Sequence, residues 1–250
     1  YQAVRSALET EVPNTSGAFR PITVLTKPGT IAHVVMPGAS SMRGVTGFRA
    51  LDAVNGALAQ LVPDRVPAAG EGGNTLAVFG AQRADGSRFV FYELVVGTWG
   101  GTPRDDGNDG LTNPASLAAN IPVEVAESEF PIRIERYGFV PGSGGDGQHR
   151  GGLALERVWR CLTPDTSLIV RSDRAVHPPY GLHGGEPGAL SSNLLIRADG
   201  TEEVLPSMFS TTIQAGDVFV HRTASGGGWG EPALREPDRR ASDREDGKVT

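Results

Sequence analysis

The sequence predicts an α+β chain. Its N-terminal part is mixed and contains one long amphipathic helix near residues 45–62, and its C-terminal half is mainly antiparallel β-structure. Two observations predict this class: apolar residues recur at helical spacing before Pro63, and short β-branched segments alternate with turn residues after residue 153. A third observation is the 34 glycines in 250 residues, about twice the usual share of roughly 7%. Many tight turns and close backbone approaches are therefore expected.

Taken from the N-terminus, two strand-like segments come first. They cover residues 19–25 and 30–36, are rich in β-branched and apolar residues, and flank the turn 27–29. The predicted helix at 45–62 follows, and Pro63 ends it because proline cannot continue a helix.

A β-hairpin is predicted next, with strands at 75–82 and 88–96 and a turn at 84–87. A short helical turn is expected at 115–119 and a strand at 132–140. The remaining predicted strands are 153–162, 167–173, 193–197, 203–205, 208–213 and 217–222.

Three regions follow from this pattern. Residues 1–152 form the α/β part, residues 153–232 form the β-rich part, and residues 233–250 are polar without apolar periodicity and are expected to be disordered. The chain opens at Tyr1 without a methionine, which favours a piece of a longer protein.

Composition narrows the function classes. With 38% hydrophobic residues and a net charge of −6, the chain is globular and lacks the basic surface that nucleic acids require. No apolar run approaches the roughly 18 residues of a membrane helix. A single cysteine, Cys161, cannot form an intrachain disulfide, so a cytoplasmic location is expected.

The loop at 97–113 is the first candidate for chemistry. It places Arg104, Asp106, Asp109 and Asn113 among glycines. Loops of this length without periodicity are uncommon in compact domains and are often functional. The alternative is an acidic surface turn.

The second candidate is the segment 120–127. Asn120, Glu124 and Glu127 are spaced i, i+4, i+7 and would share one face of a helix. A carboxylate there, Glu124 above all, could act as a general base. The alternative is a solvated helix face.

The third candidate is the glycine-rich loop 141–152, which contains Ser143, His149 and Arg150. Exposed backbone N–H groups could bind an anion there, and the histidine and arginine could serve as acid/base and carboxylate clamp. No Lys-Ser/Thr pair follows the glycines, so this is not a P-loop. The alternative for His149 is an ordinary surface histidine.

Two further segments carry polar residues. Asp173 and Arg174 are adjacent, so on a strand they face opposite sides and each needs its own partner. His177 and His183 are six residues apart in a proline-rich loop, a spacing that does not suit a metal pair. We predict no metal site within this chain.

Several short motifs occur in a fixed order between about residues 21 and 232. They are the segments 63–68, 100–110, 122–127, 142–152, 172–174, 181–188, 216–217 and 226–232. With these motifs the chain resembles the B-type component of the ATP-dependent hydantoinase/oxoprolinase family. The resemblance covers only the C-terminal half of such a B-type polypeptide.

The resemblance implies a cytoplasmic hetero-oligomer. A hydantoinase-A-like partner would bind ATP and phosphorylate a carbonyl oxygen of the substrate, and the B-type subunit would then hydrolyse a cyclic amide (hydantoin, 5-oxoproline or lactam). A divalent metal would belong to the missing N-terminal half of the B-type subunit. One alternative is the alpha-type subunit of an ATP-dependent ketone carboxylase, and another is a non-catalytic scaffold domain.

On this basis we predict roles for eight residues. Two acids of the first loop would orient water or a metal-bound group, Glu124 would act as a base or as an acid that supports the reacting groups, and Arg150 would clamp a substrate carboxylate or phosphate. The catalytic candidates are Asp106, Asp109, Glu124 and His149, and the substrate-binding candidates are Arg104, Asn113, Ser143 and Arg150.

Overall fold

A computed structural model describes residues 1–7, 12–40, 43–83, 85–116 and 118–249. Within those residues the chain forms two antiparallel sheets that share one core. The first sheet has the strand order β2-β1-β5-β8 and the second has the order β3-β4-β9-β6-β7. The strands are β1 (Asn74–Gln82), β2 (Arg88–Val96), β3 (Ile132–Val140), β4 (Ala154–Cys161), β5 (Thr166–Arg171), β6 (Ser192–Ile196), β7 (Glu202–Leu205), β8 (Met208–Ile213) and β9 (Val218–Arg222). The mixed class with antiparallel β-structure is confirmed.

The predicted β-hairpin is formed by β1 and β2, whose register runs from Asn74 opposite Val96 to Gln82 opposite Arg88. Side chains of β2 alternate between buried and exposed along its first six residues. This alternation is the period of two that a strand with one buried face produces. The predicted turn includes residue 84, which lies outside the described residues.

The core lies between the two sheets and is rich in aromatic rings. Phe79 of β1 packs against Trp159 of β4 with ring centroids 5.9 Å apart, which joins one sheet to the other. Trp159 also stacks on Phe219 at 5.5 Å. Cys161 is a buried free thiol in the same cluster, as its apolar strand context predicts.

A buried ion pair also crosses the core. Arg157 Nη2 of β4 lies 2.8 Å from Glu93 Oε1 of β2, and both side chains are fully buried. The indole N–H of Trp159 donates to the second carboxylate oxygen at 3.2 Å. Each partner alone would be an unpaired buried charge, and the pair links β4 of one sheet to β2 of the other.

Five α-helices accompany the sheets in the described part of the chain. Two of them contribute to the site described below: the long helix of 16 residues and the last helix of the described residues. In order the five helices are α1 (Gln2–Ala7), α2 (Ser16–Phe19), α3 (Arg43–Leu58), α4 (Val123–Glu129) and α5 (Pro237–Glu245).

The prediction of an amphipathic helix at 45–62 is wrong: a helix forms there, but its buried face is not apolar. Helix α3 occupies most of that range, but its buried residues are Leu51, Asp52 and Asn55, two of which are polar, while Val54 is 41% exposed. The buried face contacts charged side chains rather than an apolar core. The spacing of the apolar residues therefore does not show which face of the helix is buried.

The two strands predicted at 19–25 and 30–36 do not form. The described residues of these segments form no sheet; they carry a turn in which the N–H of Gly29 donates to His33 O at 2.9 Å. Leu25 and Ile31 are 88% and 86% exposed. β-branched composition favours a strand only where another strand is present to pair with it.

Both sheets contain strands from either side of residue 152, so the expected boundary there does not separate two sheets. The tail expected to be disordered at 233–250 contains helix α5, whose buried Asp243 forms ion pairs with Arg150 and Arg235. The polar composition of this tail reflects its ion pairs rather than a lack of structure.

None of the helices in the described residues is long and apolar enough to cross a membrane.

Candidate active site

A cavity of about 340 Å³ opens between helix α3 and the loop at 97–113. Its walls combine apolar side chains with a few polar groups, and this volume is within the range of small-molecule pockets. The principal lining residues are Leu51, Asp52, Asn55, Trp99, Pro103 and Asn113.

Helix α3 presents its polar residues to this cavity because it is held in place by Tyr180. The phenol donates to the backbone oxygen of Asp52 at 2.6 Å. The contact is close because Gly56 has no side chain: a Cβ there would lie 3.1 Å from the phenol oxygen. Asp52 and Asn55 are three residues apart and therefore point to the same side of the helix.

Asp52 in the cavity wall belongs to a group of charged residues that we call the Arg49 cluster: Arg49, Asp52, Glu71, Asp173 and Arg174. Asp52 Oδ2 accepts from Arg49 Nη1 at 2.9 Å and from Arg174 Nη2 at 2.7 Å. Arg49 Nε lies 2.8 Å from Asp173 Oδ2, an ion pair without hydrogen-bond geometry. Asp173 and Arg174 pair with different residues, but they lie after strand β5 has ended at Arg171 and both belong to the same cluster, so they do not face opposite sides of a strand.

The Arg49 cluster contains three acids and only two arginines. Burial raises the pKa of Glu71 to about 8, against the lowering effects of Arg49 and of the Gly73 N–H that donates to the carboxylate. Burial likewise raises the pKa of Asp52, although Arg49 and Arg174 oppose it. With a proton on Glu71, the cluster is electrically balanced near neutral pH.

The loop at 97–113 folds back on itself to form the opposite wall. Thr98 Oγ1 donates to Asn108 O at 2.7 Å, and the Trp99 indole N–H donates to Thr112 O at 2.6 Å. Asn113 is buried, accepts from the N–H of Ala115 at 2.8 Å and lines the cavity. Of the eight predicted site residues, only Asn113 is among the residues that line this cavity.

The acidic part of that loop faces away from the cavity residues and meets the third predicted loop. Arg150 forms a bidentate pair with Asp109, at 3.1 and 3.2 Å, and its Nε donates to Asp243 at 3.1 Å. Arg235 forms a bidentate pair with Asp106 at 2.7 and 2.8 Å and also pairs with Asp243 at 2.6 Å. We call these five residues the ionic clamp.

The ionic clamp fixes the charge state of Asp106. Burial favours the neutral acid, but hydrogen bonds and charge from Arg235 outweigh it and hold the pKa of Asp106 below its usual value. The same contacts raise the pKa of Arg235. Because both carboxylate oxygens of Asp106 accept hydrogen bonds from Arg235, neither is free to take a proton from a substrate or water, so the clamp suits positioning better than acid/base work.

The glycine-rich loops pack on one another instead of exposing their N–H groups. The N–H of Gly145 donates to Gly226 O at 2.8 Å, that of Gly226 to Gly152 O at 2.9 Å, and that of Gly151 to Gly145 O at 2.9 Å. A Cβ at Gly151 would lie 1.9 Å from Gly226 O. The anion-binding interpretation of this loop is wrong for these N–H groups, because the packing uses them.

The remaining predicted residues have different surroundings. The Ser143 hydroxyl donates to Val140 O at 2.6 Å and accepts from the N–H of Ala154 at 2.8 Å. Arg104 is exposed in the first loop, and Glu124 is exposed on α4. The predicted alignment with Asn120 does not occur, because α4 begins at Val123.

His149 lies beside Trp229, with ring centroids 6.2 Å apart. Burial lowers the pKa of His149. Its buried Nδ1 has no hydrogen-bond partner within the described residues. These residues also contain no group of three or more His, Cys, Asp or Glu side chains that could hold a metal ion.

Sequence reasoning missed Asp52 and Glu71. An acid three residues after Arg49 in a helix has the spacing of an ordinary surface ion pair. The segment around Glu71 has the composition of a flexible glycine loop. One signal could have indicated them: Asp173 and Arg174 each require a charged partner, and no partner is assigned to either from the sequence.

Residues 1–232 match the Hydantoinase B/oxoprolinase family. The chain belongs to this family. The family predicted from the ordered motifs is therefore confirmed.

Three proteins illustrate the relationship. The chain is 32% identical over 241 residues to the B component of a putative D-/L-hydantoinase of Pseudomonas sp. (strain NS671), covering 95% of this chain and 40% of that protein. The crystal structure of ATP-dependent caprolactamase from Pseudomonas jessenii superposes with a TM-score of 0.85 at 22% identity, over all of this chain and 45% of that one. A nucleotide-free acetone carboxylase structure superposes with a TM-score of 0.62 at 18% identity, over 81% of this chain and 31% of that one.

The two structural matches establish the shared fold. This chain spans less than half the length of each of these proteins.

Proposed function

We propose that this chain is part of the B-type subunit of an ATP-dependent cyclic amide hydrolase, acting on a hydantoin, 5-oxoproline or lactam that an A-type partner phosphorylates. The family match over residues 1–232 carries the proposal. The hydantoinase and caprolactamase relatives support it, because hydantoins and caprolactam are both cyclic amides.

The cavity supports a small ring as the substrate. Its volume of about 340 Å³ exceeds that of a five- to seven-membered ring, and Trp99 and Leu51 provide apolar contact area. Asp52, Asn55 and Asn113 provide hydrogen-bonding groups for an amide. The substrate-binding role predicted for Asn113 is kept in this proposal.

The other predicted residues take different roles in the proposal. Asp106, Asp109 and Arg150 hold the loop that forms the cavity wall, because Arg150 pairs with Asp109 and with Asp243 of helix α5, and Asp106 pairs with Arg235, which lies just before that helix. They act as positioning residues. Arg104 and Glu124 are exposed and are available to the partner subunit or to the remainder of the B-type polypeptide.

ATP is proposed to bind to the A-type partner. The glycine-rich loops of this chain use the N–H groups of Gly145, Gly151 and Gly226 in mutual packing and so do not offer them to a phosphate. A divalent metal, if the enzyme uses one, is proposed to bind in the remainder of the B-type subunit.

An ATP-dependent ketone carboxylase is the second candidate, favoured by the fold shared with acetone carboxylase. A scaffold role is the third, favoured by the structural use of the glycine motifs. The three candidates differ in the substrate on which ATP hydrolysis depends. The hydrolase requires a cyclic amide, the carboxylase requires a ketone with bicarbonate, and a scaffold requires neither.

The test is reconstitution of the full B-type subunit with its A-type partner. Hydantoin, 5-oxoproline and ε-caprolactam are each supplied with ATP, and ADP and ring-opened product are measured. Ring opening that requires both subunits and ATP is expected. ATP hydrolysis that depends on acetone and bicarbonate, with no ring opening, would instead identify the carboxylase.

A further inference from the structure

Among the contacts of the described residues, the carboxylate of Asp52 is anchored through one oxygen. Oδ2 accepts both arginine hydrogen bonds, from Arg49 at 2.9 Å and from Arg174 at 2.7 Å. Within the described residues, no hydrogen bond reaches Oδ1. Asp52 lies in the cavity wall with 9% of its surface exposed, so the anchored carboxylate is held in one orientation at the cavity.

The same wall has a second unmet hydrogen-bonding group. Asn55 lies one helical turn after Asp52, lines the cavity, and its buried Oδ1 has no partner in the described residues. Buried polar atoms without partners are rare in proteins and often mark a place where a ligand or water completes the bonding. The two side chains face the space in which we propose that the amide ring binds.

We propose that Asp52 is the general base of the hydrolysis, accepting a proton at Oδ1 from the water that attacks the amide carbon. This inference rests on the proposed function.

The step balances without a further reactant. The water oxygen forms a bond to the ring carbon whose oxygen carries the phosphoryl group from ATP, and one water proton moves to Asp52. The C=N electron pair moves to the ring nitrogen. Asp52 then returns the proton to that nitrogen. The C–N bond breaks as the new hydroxyl oxygen forms the C=O bond and its proton passes to the departing amine, so the ring opens to an amino acyl phosphate. Hydrolysis of this acyl phosphate by a second water releases inorganic phosphate and leaves the carboxylate. Asn55 positions the ring nitrogen.

The other acids fit this role less well. Both oxygens of Asp106 and of Asp109 pair with arginines of the ionic clamp. Glu124 is exposed on α4. Glu71 is only 2% exposed and is not among the cavity's lining residues.

The experiment compares Asp52→Asn with Asp173→Asn in the full B-type subunit assembled with its A-type partner. Both variants remove one negative charge from the Arg49 cluster, but only Asp52 lines the cavity. General-base catalysis contributes about 100- to 10,000-fold. We therefore expect Asp52→Asn to lower kcat for ring opening by at least about 100-fold with KM within about threefold. Asp173→Asn should stay within about fivefold of the wild type.

A single-turnover measurement separates this role from a structural one. Because phosphorylation precedes water attack, the Asp52→Asn complex should still form ADP in the first turnover while ring-opened product is lost. Asp52→Glu keeps the charge that pairs with Arg49 and Arg174 but moves the carboxylate by one methylene. It should fold even if Asp52→Asn does not, and should still lose at least about tenfold in kcat.

The outcomes are distinguishable. Near wild-type kcat in either Asp52 variant overturns the assignment of Asp52 while leaving the hydrolase function intact. Equal losses in the Asp52→Asn and Asp173→Asn complexes also overturn it, because the effect would then belong to the charge of the cluster. A wild-type complex that opens no cyclic amide refutes the proposed function, and the role of Asp52 with it.

Discussion

The Glu71 carboxyl makes the stability of this chain depend on pH. Its pKa rises from 4.5 in the unfolded chain to about 8 in the folded one, because burial penalises the charged form. Between these values the folded state binds more protons than the unfolded state, so the free energy of unfolding falls as pH rises. Over the whole interval the loss is about 5 kcal/mol, at about 1.4 kcal/mol per pH unit.

Replacing Glu71 with Gln removes this loss and keeps the shape of the side chain. The amide oxygen can still accept the N–H of Gly73, now 3.0 Å from the carboxylate. We expect the stability of Glu71→Gln relative to the wild type to increase by about 3 kcal/mol between pH 5.5 and pH 8.5. Urea unfolding of both proteins at the two pH values measures it.

Glu71→Ala serves as the control. It leaves a void and should be less stable than Glu71→Gln at both pH values, yet share its weaker pH dependence. If the difference between wild type and Glu71→Gln changes by less than about 0.5 kcal/mol between the two pH values, the pKa of about 8 is wrong.

Three further predictions concern stability. Glu93→Gln leaves Arg157 as an unpaired buried charge and should cost about 3–5 kcal/mol in urea unfolding, whereas Glu93→Leu combined with Arg157→Met should recover most of the loss. Asp243→Asn weakens the ionic clamp and should cost about 2 kcal/mol, with faster proteolysis in the loop at 97–113 as the second readout. Gly151→Ala places a Cβ against a backbone carbonyl and should cost about 3 kcal/mol, while Gly138→Ala, which has open space around it, should change stability by less than about 1 kcal/mol.

Most of the sheets could be predicted from sequence because their strands alternate apolar and polar residues between turns. The strand at 132–140 has the predicted bounds, and the hairpin strands agree to within one residue. The segments 19–25 and 30–36 have the same composition but no pairing strand, and composition does not reveal a missing partner.

The site could be predicted only in part. The length of the loop at 97–113 predicts a functional loop, and Trp99, Pro103 and Asn113 of this loop line the cavity, while the substrate-binding role of Asn113 stays a prediction. The acids of that loop pair with arginines that are distant in sequence. One of these, Arg235, lies in the tail that the sequence predicts to be disordered, so the pairing could not be predicted. Asp52 and Glu71 are brought together only by the tertiary fold, because their local patterns are those of a surface ion pair and a flexible loop.

The central claim is that the cavity between α3 and the loop at 97–113 holds the amide ring. The most direct test is a crystal structure of the full hetero-oligomer soaked with ε-caprolactam. We predict density for the ring against Trp99, within hydrogen-bonding distance of Asp52, Asn55 or Asn113. A ring bound elsewhere, with this cavity filled by another part of the polypeptide, would contradict the account.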